Sequence, residues 1–428
     1  MGMPCLATFL NYRVFVALFL VLDALFLGFY ATTLSISPGE ARLFFYGEGA
    51  IGETLRFSAD LFGHTNFALR VPFIALHIVN TLMIYLAARI GLSRFDSFLA
   101  MALFALLPGV NSSALLVNGA SIAISAALIF VLLYQKSTIL AFSFLFEVSM
   151  MNSIFLALWL GVLIYEIKER RIALAAAAAL FFAVSIGVWG FDFGHRPRGY
   201  FLDIFGMYGA IFSPLIFAYF IYALYWYLFR AKEKIPLLWF ISAVPFLLSL
   251  ALSLRQNLAI EEFAPYAAIS TPLIVRSFMN SWRVRLPQFR GSQKTIAAVL
   301  IGSLFLTLLV IFFHKPLYMI LSDSNRHFAY NFHFADELAN RLRERGIDRV
   351  VCDSQRLAIR LRYYGIEKGG EDRLYTTRVE GAIPLSFEAL GRTAATFYLI
   401  ERHSDFLLNL RERRENNETT IIQESLQD

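Results

Sequence analysis

The feature that most constrains this chain is a succession of apolar stretches, many of them close to twenty residues long, separated by short polar segments. The core of a bilayer is crossed by a helix of roughly 20 apolar residues, and a soluble domain rarely contains such runs in series. Hydrophobic residues make up 58% of the 428 residues and charged residues only 16%. The sequence therefore predicts a polytopic α-helical membrane protein.

We divide residues 1–313 into about eleven transmembrane helices on the basis of run length. They cover residues 14–31, 68–90, 98–108, 114–134, two short helices within 137–165, and then 172–189, 210–229, 235–254, 267–279 and 295–313. A short outer turn at 109–113 separates the third and fourth spans. Three longer outer loops are expected at 32–67, 190–209 and 255–266.

The distribution of basic residues sets the orientation. Lysine and arginine collect in alternate loops, as cytoplasmic loops of membrane proteins require. These residues are Arg89, Arg94, Lys136, Lys168, Arg170, Arg171, Arg230, Lys232, Lys234, Arg283, Arg285, Arg290 and Lys294. The pattern predicts a multi-pass protein with a cytoplasmic N-terminus and a C-terminus on the outer side, which in a bacterium means the inner (cell) membrane and the periplasm. It also accounts for the net charge of +6, so membrane lipids and not nucleic acids are the expected partners.

The tail from residue 314 onwards has a different sequence pattern from the apolar stretches before it. Residues 334–346 and 355–364 have helical periodicity, Leu390 closes a third expected helix, and residues 349–352 and 396–400 have the character of strands. Alternation of helix and strand predicts a small α/β domain over 314–410, placed in the periplasm. Residues 411–428 are polar enough to form a flexible tail. Within them Asn417 fits the Asn-x-Thr glycosylation rule, with Glu415 two residues before it; the alternative is a chance match to a short motif.

The sequence lacks the motifs that are typical of several classes of enzyme. The chain has no glycine-rich phosphate loop, no Cys-x-x-Cys pair and no His-Glu-x-x-His. Its two cysteines, Cys5 and Cys352, lie at opposite ends, and its seven histidines have no ligand spacing, so we expect no protein metal site.

The first outer loop is the most promising place for chemistry. Glu40 stands just outside the first span, after a turn at Pro38 and Gly39. A partly desolvated carboxylate at the membrane surface can accept the proton of a hydroxyl group. The alternative is an ordinary loop acid.

The chain also resembles a known family. The residues that carry the likeness are GEARLFF with Glu40-Ala41, DLFGHTNFALRVPF with Phe62-Gly63, Ala68-Leu69-Arg70 and Pro72, then EEFAPY at 261–266, and Leu357 to Tyr364 in the tail. This series resembles the opening, a late loop and the C-terminal domain of GT-C glycosyltransferases. It is most similar to the protein O-mannosyltransferase and lipid A aminoarabinose transferase branch (glycosyltransferase family 39-like).

The resemblance implies a bundle of membrane helices followed by a periplasmic α/β domain. It implies transfer of a sugar from a polyprenyl-phosphate donor to a periplasmic lipid, glycan or protein by inverting displacement, with Glu40 as the base and a divalent metal left open. Candidates for stabilising the donor phosphate are Arg42, Arg56, Arg196, Arg198 and Arg255, and candidate supporting acids are Glu48 and Glu262. For each arginine the alternative is an exposed or headgroup-facing charge.

Two positions depart from the family pattern. The acid that leads the family's acidic pair falls at Gly39, and its second acid falls near Asn118. A catalytically impaired subunit or scaffold of envelope-glycan assembly is therefore the alternative function. A lipid-linked sugar transporter is a further alternative, opposed by the lack of paired glycine- or proline-broken helices in matching halves of the chain.

Overall fold

The structure, a computed structural model, describes residues 12–190, 199–231, 234–286, 288, 290–320, 326–389 and 391–401. Helices dominate up to residue 344, and a small sheet follows. The helices are α1 (Tyr12–Thr32), α2 (Pro38–Tyr46), α3 (Ala50–Phe62), α4 (Asn66–Arg89), α5 (Arg94–Ala105), α6 (Pro108–Leu115), α7 (Ala120–Lys136), α8 (Thr138–Ser149), α9 (Leu156–Lys168), α10 (Ile172–Trp189), α11 (Phe201–Phe212), α12 (Pro214–Phe229), α13 (Leu237–Ser253), α14 (Ala264–Ala268), α15 (Thr271–Val284), α16 (Gly291–Phe312), α17 (Leu317–Ile320), α18 (Ala335–Glu344) and α19 (Gln355–Tyr363). The strands are β1 (Arg349–Cys352), β2 (Glu367–Tyr375), β3 (Ile383–Ala389) and β4 (Arg392–Ile400).

The chain divides into two compact units. We call Met1–Ala31 together with Arg70–Phe312 the bundle unit, and Thr32–Leu69 together with Phe313–Asp428 the sheet unit. The segment expected as the first outer loop of the membrane domain is thus grouped with residues almost 300 positions later in the chain. It is not an irregular loop, since it contains α2 and α3.

The bundle unit supplies the membrane-crossing helices. Over the described residues, α1, α4, α10 and α16 are each long and apolar enough to span a bilayer. Two more spans arise if α5 with α6, and α11 with α12, each count as one bent crossing. Shorter apolar helices are α7, α8 and α13. The chain is therefore a multi-pass membrane protein, whereas the predicted count of about eleven spans is not confirmed.

Both bends coincide with a proline that begins the second helix. α5 and α6 meet at 59°, with Pro108 at the first position of α6, and α11 and α12 meet at 102°, with Pro214 at the first position of α12. Proline lacks the N–H that would continue the preceding helix. At the sharper bend, Ser213 adopts a left-handed backbone conformation with φ of 78°.

These bends correct two sequence-based boundaries. The turn predicted at 109–113 lies inside α6, because Pro108 starts a new helix there instead of ending a span. Part of the outer loop predicted at 190–209 is helical, since α11 begins at Phe201.

The core of the bundle unit is mainly apolar and aromatic, but it also buries ionisable side chains, among them Arg70, Asp96 and Glu166. Trp159, Phe130 and Phe220 are fully buried there, while many apolar side chains on α1, α10 and α16 face outwards, as a lipid solvent permits. Ionisable groups in this unit include paired ones. Asp23 lies 2.8 Å from His77, and Arg283 donates to both carboxylate oxygens of Asp96 at 2.7 Å.

The sheet unit contains a four-stranded mixed sheet in the order β1-β2-β4-β3. β1 and β2 are parallel and are joined through α19, whereas β2 with β4 and β3 with β4 are antiparallel. A helical crossover is what a parallel pair requires. Helix α18 buries Ala335, Leu338, Ala339 and Leu342, the i, i+3, i+4, i+7 pattern of an amphipathic helix.

The prediction of a small α/β domain is confirmed, with one element assigned wrongly. Residues 349–352 form the expected strand, and helices α18 and α19 fall within the predicted ranges. Leu390, expected to close a third helix, lies outside the described residues, and the residues just before it form strand β3, Ile383–Ala389, instead of a helix. The local periodicity was overridden because β3 pairs along its length with β4, from Ile383 opposite Leu399 to Ala389 opposite Arg392.

Candidate active site in the sheet unit

Helix α2 carries the candidate base and begins with a capping box. Ser37 Oγ accepts a hydrogen bond from the Glu40 amide at 3.2 Å, and Glu40 Oε2 accepts one from the Ser37 amide at 2.8 Å. Pro38 occupies the first turn, where a missing N–H costs nothing. The box fixes the direction of the Glu40 side chain, which is only 3% exposed.

A buried arginine from the far end of the sequence lies close enough to Glu40 to interact with it electrostatically. Arg360 Nε donates to the Ile36 carbonyl at 2.7 Å, and an Nη donates to the His333 carbonyl at 2.6 Å. Burial lowers the pKa of Arg360, whereas nearby phenols and carboxylates, Glu40 among them, raise it. Because a buried guanidinium keeps its charge, Glu40 also acts as part of its counter-charge.

Aromatic residues at the C-terminal end of α19 contact α2 and the segments on either side of it. The rings of Tyr363 and Phe44 meet edge to face with centroids 5.0 Å apart, and Tyr363 Oη donates to the Thr65 carbonyl at 3.0 Å. The Ile36 amide donates to Tyr364 Oη at 2.8 Å. The Glu40-Ala41 motif and the Leu357–Tyr364 motif, quoted from opposite ends of the sequence, therefore pack within one unit.

Three of the histidines that the sequence left scattered form a buried cluster. His314 and His333 share a hydrogen bond between their Nε2 atoms at 2.8 Å, and His333 Nδ1 lies 2.8 Å from Tyr318 Oη. His327 Nδ1 accepts from the Ala329 amide, so His327 is neutral and its Nε2 donates to the His314 carbonyl. Burial, followed by the charges of its neighbours, lowers the pKa of His333 to about 3, so His333 is neutral at physiological pH.

Two concave surfaces lie on the sheet unit. The first, which we call the α19–β4 cavity, has a volume of about 850 Å³ and is lined by Pro38 and by residues from 327–334, 354–360, 376–377 and 393–397. The second, the α2–α19 groove, has a volume of about 730 Å³ and is lined by Arg42, Tyr46, Cys352, Gln355, Ala358, Ile359, Arg362, Glu367 and Lys368. Both volumes suit a small ligand or a headgroup.

The α2–α19 groove gives one predicted phosphate ligand two basic neighbours. Arg42 lines it together with Arg362 and Lys368, from α19 and β2. Its one described acid, Glu367, forms an ion pair of 3.4 Å with Arg349. Guanidinium and ammonium groups at one surface are suited to a phosphate group.

The other predicted residues near α2 have different surroundings. Arg56 donates to the Phe44 carbonyl at 3.0 Å and the Gly47 carbonyl at 3.2 Å, so it closes the C-terminal end of α2. Glu48 is exposed in the turn before α3. Their assignment to donor phosphate and to a supporting acid stays a prediction.

The remaining candidates belong to the bundle unit or lie outside the described residues. Arg255 is exposed after α13, and Glu262 ends a 3₁₀ turn, where burial and then the Glu261 carboxylate raise the pKa of Glu262. Arg196 and Arg198 lie outside the described residues, as does the candidate glycosylation site Asn417.

The two departures from the family pattern have distinct local settings. Among the described residues, a Cβ added at Gly39 would approach Ser37 Oγ at 4.0 Å, which is ordinary van der Waals contact. Asn118 Oδ1 accepts from the Ala120 amide at 3.0 Å, a local turn contact just before α7, whose N-cap residue is Gly119.

Metal binding and thiol chemistry concern a different set of side chains. Among the residues the structure describes, no three His, Cys, Asp or Glu side chains are arranged to hold a metal ion. Cys352 lines the α2–α19 groove, but burial and then Asp353 raise the pKa of its thiol to about 12. A thiol with so high a pKa is a poor nucleophile.

Arg360 and the histidine cluster are the residues that sequence reasoning missed. A signal for Arg360 exists, since it shares the apolar face of α19 with Leu357 and Leu361. A capping box was also readable as Ser37-x-x-Glu40. The histidines, by contrast, are spaced irregularly and meet only through the tertiary fold.

The long apolar helices, the proline-bent pairs and the mixed-sheet unit define a multi-pass membrane protein with a small α/β unit. By sequence, no family model and no curated protein matches the chain. Solved structures do share its fold. The crystal structure of ArnT from Cupriavidus metallidurans in the apo state matches with a TM-score of 0.55 at 10% identity, covering 91% of this chain and 98% of that chain.

The crystal structure of ArnT from Cupriavidus metallidurans bound to undecaprenyl phosphate is also similar. Its TM-score is 0.51 at 10% identity, with 90% of this chain and 97% of that chain covered. ArnT is a lipid A aminoarabinose transferase with the GT-C fold. The resemblance read from the sequence is therefore confirmed at the level of the fold.

Proposed function

We propose that this protein is a membrane glycosyltransferase that moves a sugar from a polyprenyl-phosphate donor to a periplasmic acceptor. The observation that carries the proposal is the fold shared along nearly the whole chain with ArnT, which has been crystallised with undecaprenyl phosphate. Glu40 lies on α2, in the part of the chain where the family-like acidic motif falls.

The proposed reaction is a single inverting displacement. The acceptor hydroxyl forms a bond to the anomeric carbon of the donor sugar, the bond from that carbon to the carrier phosphate oxygen breaks, and Glu40 takes the hydroxyl proton. The leaving phosphate needs cations, for which Arg42, with Arg362 and Lys368 in the same groove, is the leading candidate.

The test uses the full-length protein in proteoliposomes with radiolabelled sugars linked to undecaprenyl phosphate and an envelope fraction as acceptor. Glu40→Gln keeps an oxygen that can accept the Ser37 N–H bond and removes only basicity and charge, so we expect transfer to fall at least about 100-fold. Glu53→Gln, which changes an exposed acid of the same unit, should leave the rate unchanged. Full activity of both Glu40→Gln and Glu40→Ala would refute the role of Glu40.

A catalytically impaired scaffold of envelope-glycan assembly is the second candidate. It is favoured by Gly39 and Asn118, and by the structural bonds that Glu40 makes to the Ser37 amide. This candidate predicts no transfer by the natural chain with any carrier lipid, and stable co-purification with another envelope protein. Gly39→Asp restores the missing acid without a clash, so transfer gained only in that variant would support impairment.

The proposed setting is the inner membrane of a bacterium, with the sheet unit in the periplasm. Basic loops on the opposite side support this orientation. Alkaline phosphatase fused after residue 401 should be active, and the same fusion after Lys136 should not be. The reverse pattern would contradict the orientation.

A further inference from the structure

The α19–β4 cavity carries two arginines and no acidic side chain among its described lining residues. Arg356 and Arg360 both come from α19. The histidines at its wall add no charge, because His327 is neutral by its hydrogen bonds and burial lowers the pKa of His333 to about 3. Glu40 and Asp336 offset part of the charge of Arg360, so Arg356 is the cation of this wall that has no described counter-charge.

Both arginines are able to receive an anion. Arg360 is 6% exposed, and its Nε and one Nη are held by the carbonyls of Ile36 and His333, which fixes the plane of the guanidinium. Arg356 is exposed and makes no hydrogen bond or ion pair with the described residues. One preorganised and one adaptable guanidinium is a combination suited to a carboxylate or a phosphate.

The rest of the wall is rich in hydroxyl groups. Ser354, Thr376, Thr377, Thr393 and Thr396 all line the cavity, beside the aromatic rings of 330, 334 and 397. Among these hydroxyls, those of Ser354, Thr377 and Thr393 make no side-chain hydrogen bond within the described part of the chain. Hydroxyl groups and aromatic faces at one surface match the polar edges and apolar faces of a sugar ring.

Size and polarity exclude simpler ligands. A cavity of about 850 Å³ is far larger than an inorganic anion needs, and its polar wall does not suit a lipid tail. We propose that the α19–β4 cavity is an accessory binding site for an anionic saccharide, a sugar bearing one carboxylate or phosphate group. The cavity is distinct from the α2–α19 groove proposed for the donor phosphate, although its Arg360 also interacts electrostatically with Glu40.

The test measures binding to the full-length protein in detergent micelles by isothermal titration calorimetry. The probes are glucuronate and glucose 1-phosphate, which distinguish a carboxylate from a phosphate, with glucose and inorganic phosphate as the uncharged and sugarless references. We expect at least one anionic sugar to bind about tenfold or more tightly than either reference.

Two variants distinguish binding in this cavity from nonspecific attraction of the anion to the positive charge of the protein. Arg356→Gln should weaken binding of the preferred sugar about tenfold or more, since it removes one charged donor. Arg373→Gln, which changes an exposed arginine of β2 that lines neither surface, should leave binding within about twofold. The proposal is overturned if no anionic sugar binds, if glucose or inorganic phosphate binds as tightly, or if both variants lose binding equally.

Discussion

The two units of this protein differ in how they bury polar and charged side chains. The bundle unit buries a large core of aromatic and aliphatic residues and turns further apolar side chains outwards. Its buried ionisable groups lie on different helices, with Arg70 on α4, Asp96 on α5 and Glu166 on α9. The sheet unit buries a guanidinium, a carboxylate and three imidazoles around Arg360, Glu40 and His333. In both units a buried polar group must find partners to be tolerated, but in the sheet unit these groups lie close together around Arg360.

The difference shows where function is concentrated. A core of Trp159, Phe130 and Phe220 can be changed in many ways that preserve volume. A buried Arg360 held by two backbone carbonyls has few substitutes. We therefore expect the sheet unit to respond sharply to substitution of Arg360, and the helices of the bundle unit to respond to changes of volume where they pack closely.

The largest effect is expected for Arg360→Met. It keeps the apolar stem but leaves the carbonyls of Ile36 and His333 without their donor, at a cost of about 3 kcal/mol. Hydrogen–deuterium exchange should show loss of protection in peptides covering 34–46 and 326–363. Arg373→Met on exposed β2 is the control, and equal exchange in both variants would contradict a central role for Arg360.

A smaller effect is expected in the bundle unit from Gly161→Ala. The added Cβ would lie 2.9 Å from the Phe240 carbonyl oxygen and 3.3 Å from backbone of α13, so α9 and α13 must move apart, at a cost of about 2 kcal/mol. The Cβ of Gly206→Ala would meet no atom of the described residues within 4 Å, so this variant should be neutral or stabilising.

Tryptophan fluorescence is the measurement for this pair. All five tryptophans, residues 159, 189, 226, 239 and 282, lie in the bundle unit, so thermal melting followed by their emission reports that unit. A lower midpoint for Gly161→Ala than for Gly206→Ala is expected. Equal midpoints would mean that the contact of α9 with α13 is not tight.

Lowering the pH should reduce the stability of the sheet unit, because His333 stays neutral in the folded state. Its pKa is about 3 in the folded protein and about 6.5 when exposed, so below pH 6.5 the unfolded state takes up a proton that the folded state refuses. Stability is complete above about pH 6.5 and falls as the pH drops towards 3, by at most about 1.4 kcal/mol per pH unit.

Exchange of peptides covering 326–363, corrected for intrinsic rates, measures this loss between pH 7 and pH 5. His333→Gln removes the titrating ring and should reduce the pH dependence, even if the variant is less stable overall. The same dependence in wild type and His333→Gln would show that another group is responsible.

The smallest effect is expected from Ser37→Ala, which removes one half of the capping box of α2. A lost cap costs about 1 kcal/mol, visible as faster exchange in peptides covering 38–46. Thr54→Ala is the control, because the Thr54 hydroxyl bonds only to the Ala50 carbonyl within its own helix. If the two variants behave alike, the box does not stabilise α2.

The sequence predicted those parts of the fold that depend on local pattern. Apolar run length indicated a multi-pass protein, and the periodicity of 334–346 and 355–364 indicated α18 and α19. Span boundaries were misplaced where Pro108 and Pro214 bend a crossing, since hydropathy does not respond to a bend. Strand β3 was assigned wrongly because its pairing with β4 is a tertiary contact.

The candidate site was predicted less completely for the same reason. Glu40 and Arg42 were identified from the outer segment, and family-like residues were found in the tail. The hydrogen bond from Arg360 to the Ile36 carbonyl joins residues 324 positions apart in the sequence. No local pattern indicates which distant segments will meet. The clustering of His314, His327 and His333 could not be predicted from the sequence for the same reason.

Binding of the carrier lipid tests the central claim most directly. Full-length protein in detergent, incubated with equal amounts of undecaprenyl phosphate and phosphatidylglycerol, is measured by native mass spectrometry. If the protein is a polyprenyl-phosphate-dependent transferase, one undecaprenyl phosphate should be retained in clear preference to phosphatidylglycerol. Retention of the two lipids in equal measure, or of neither, would contradict it.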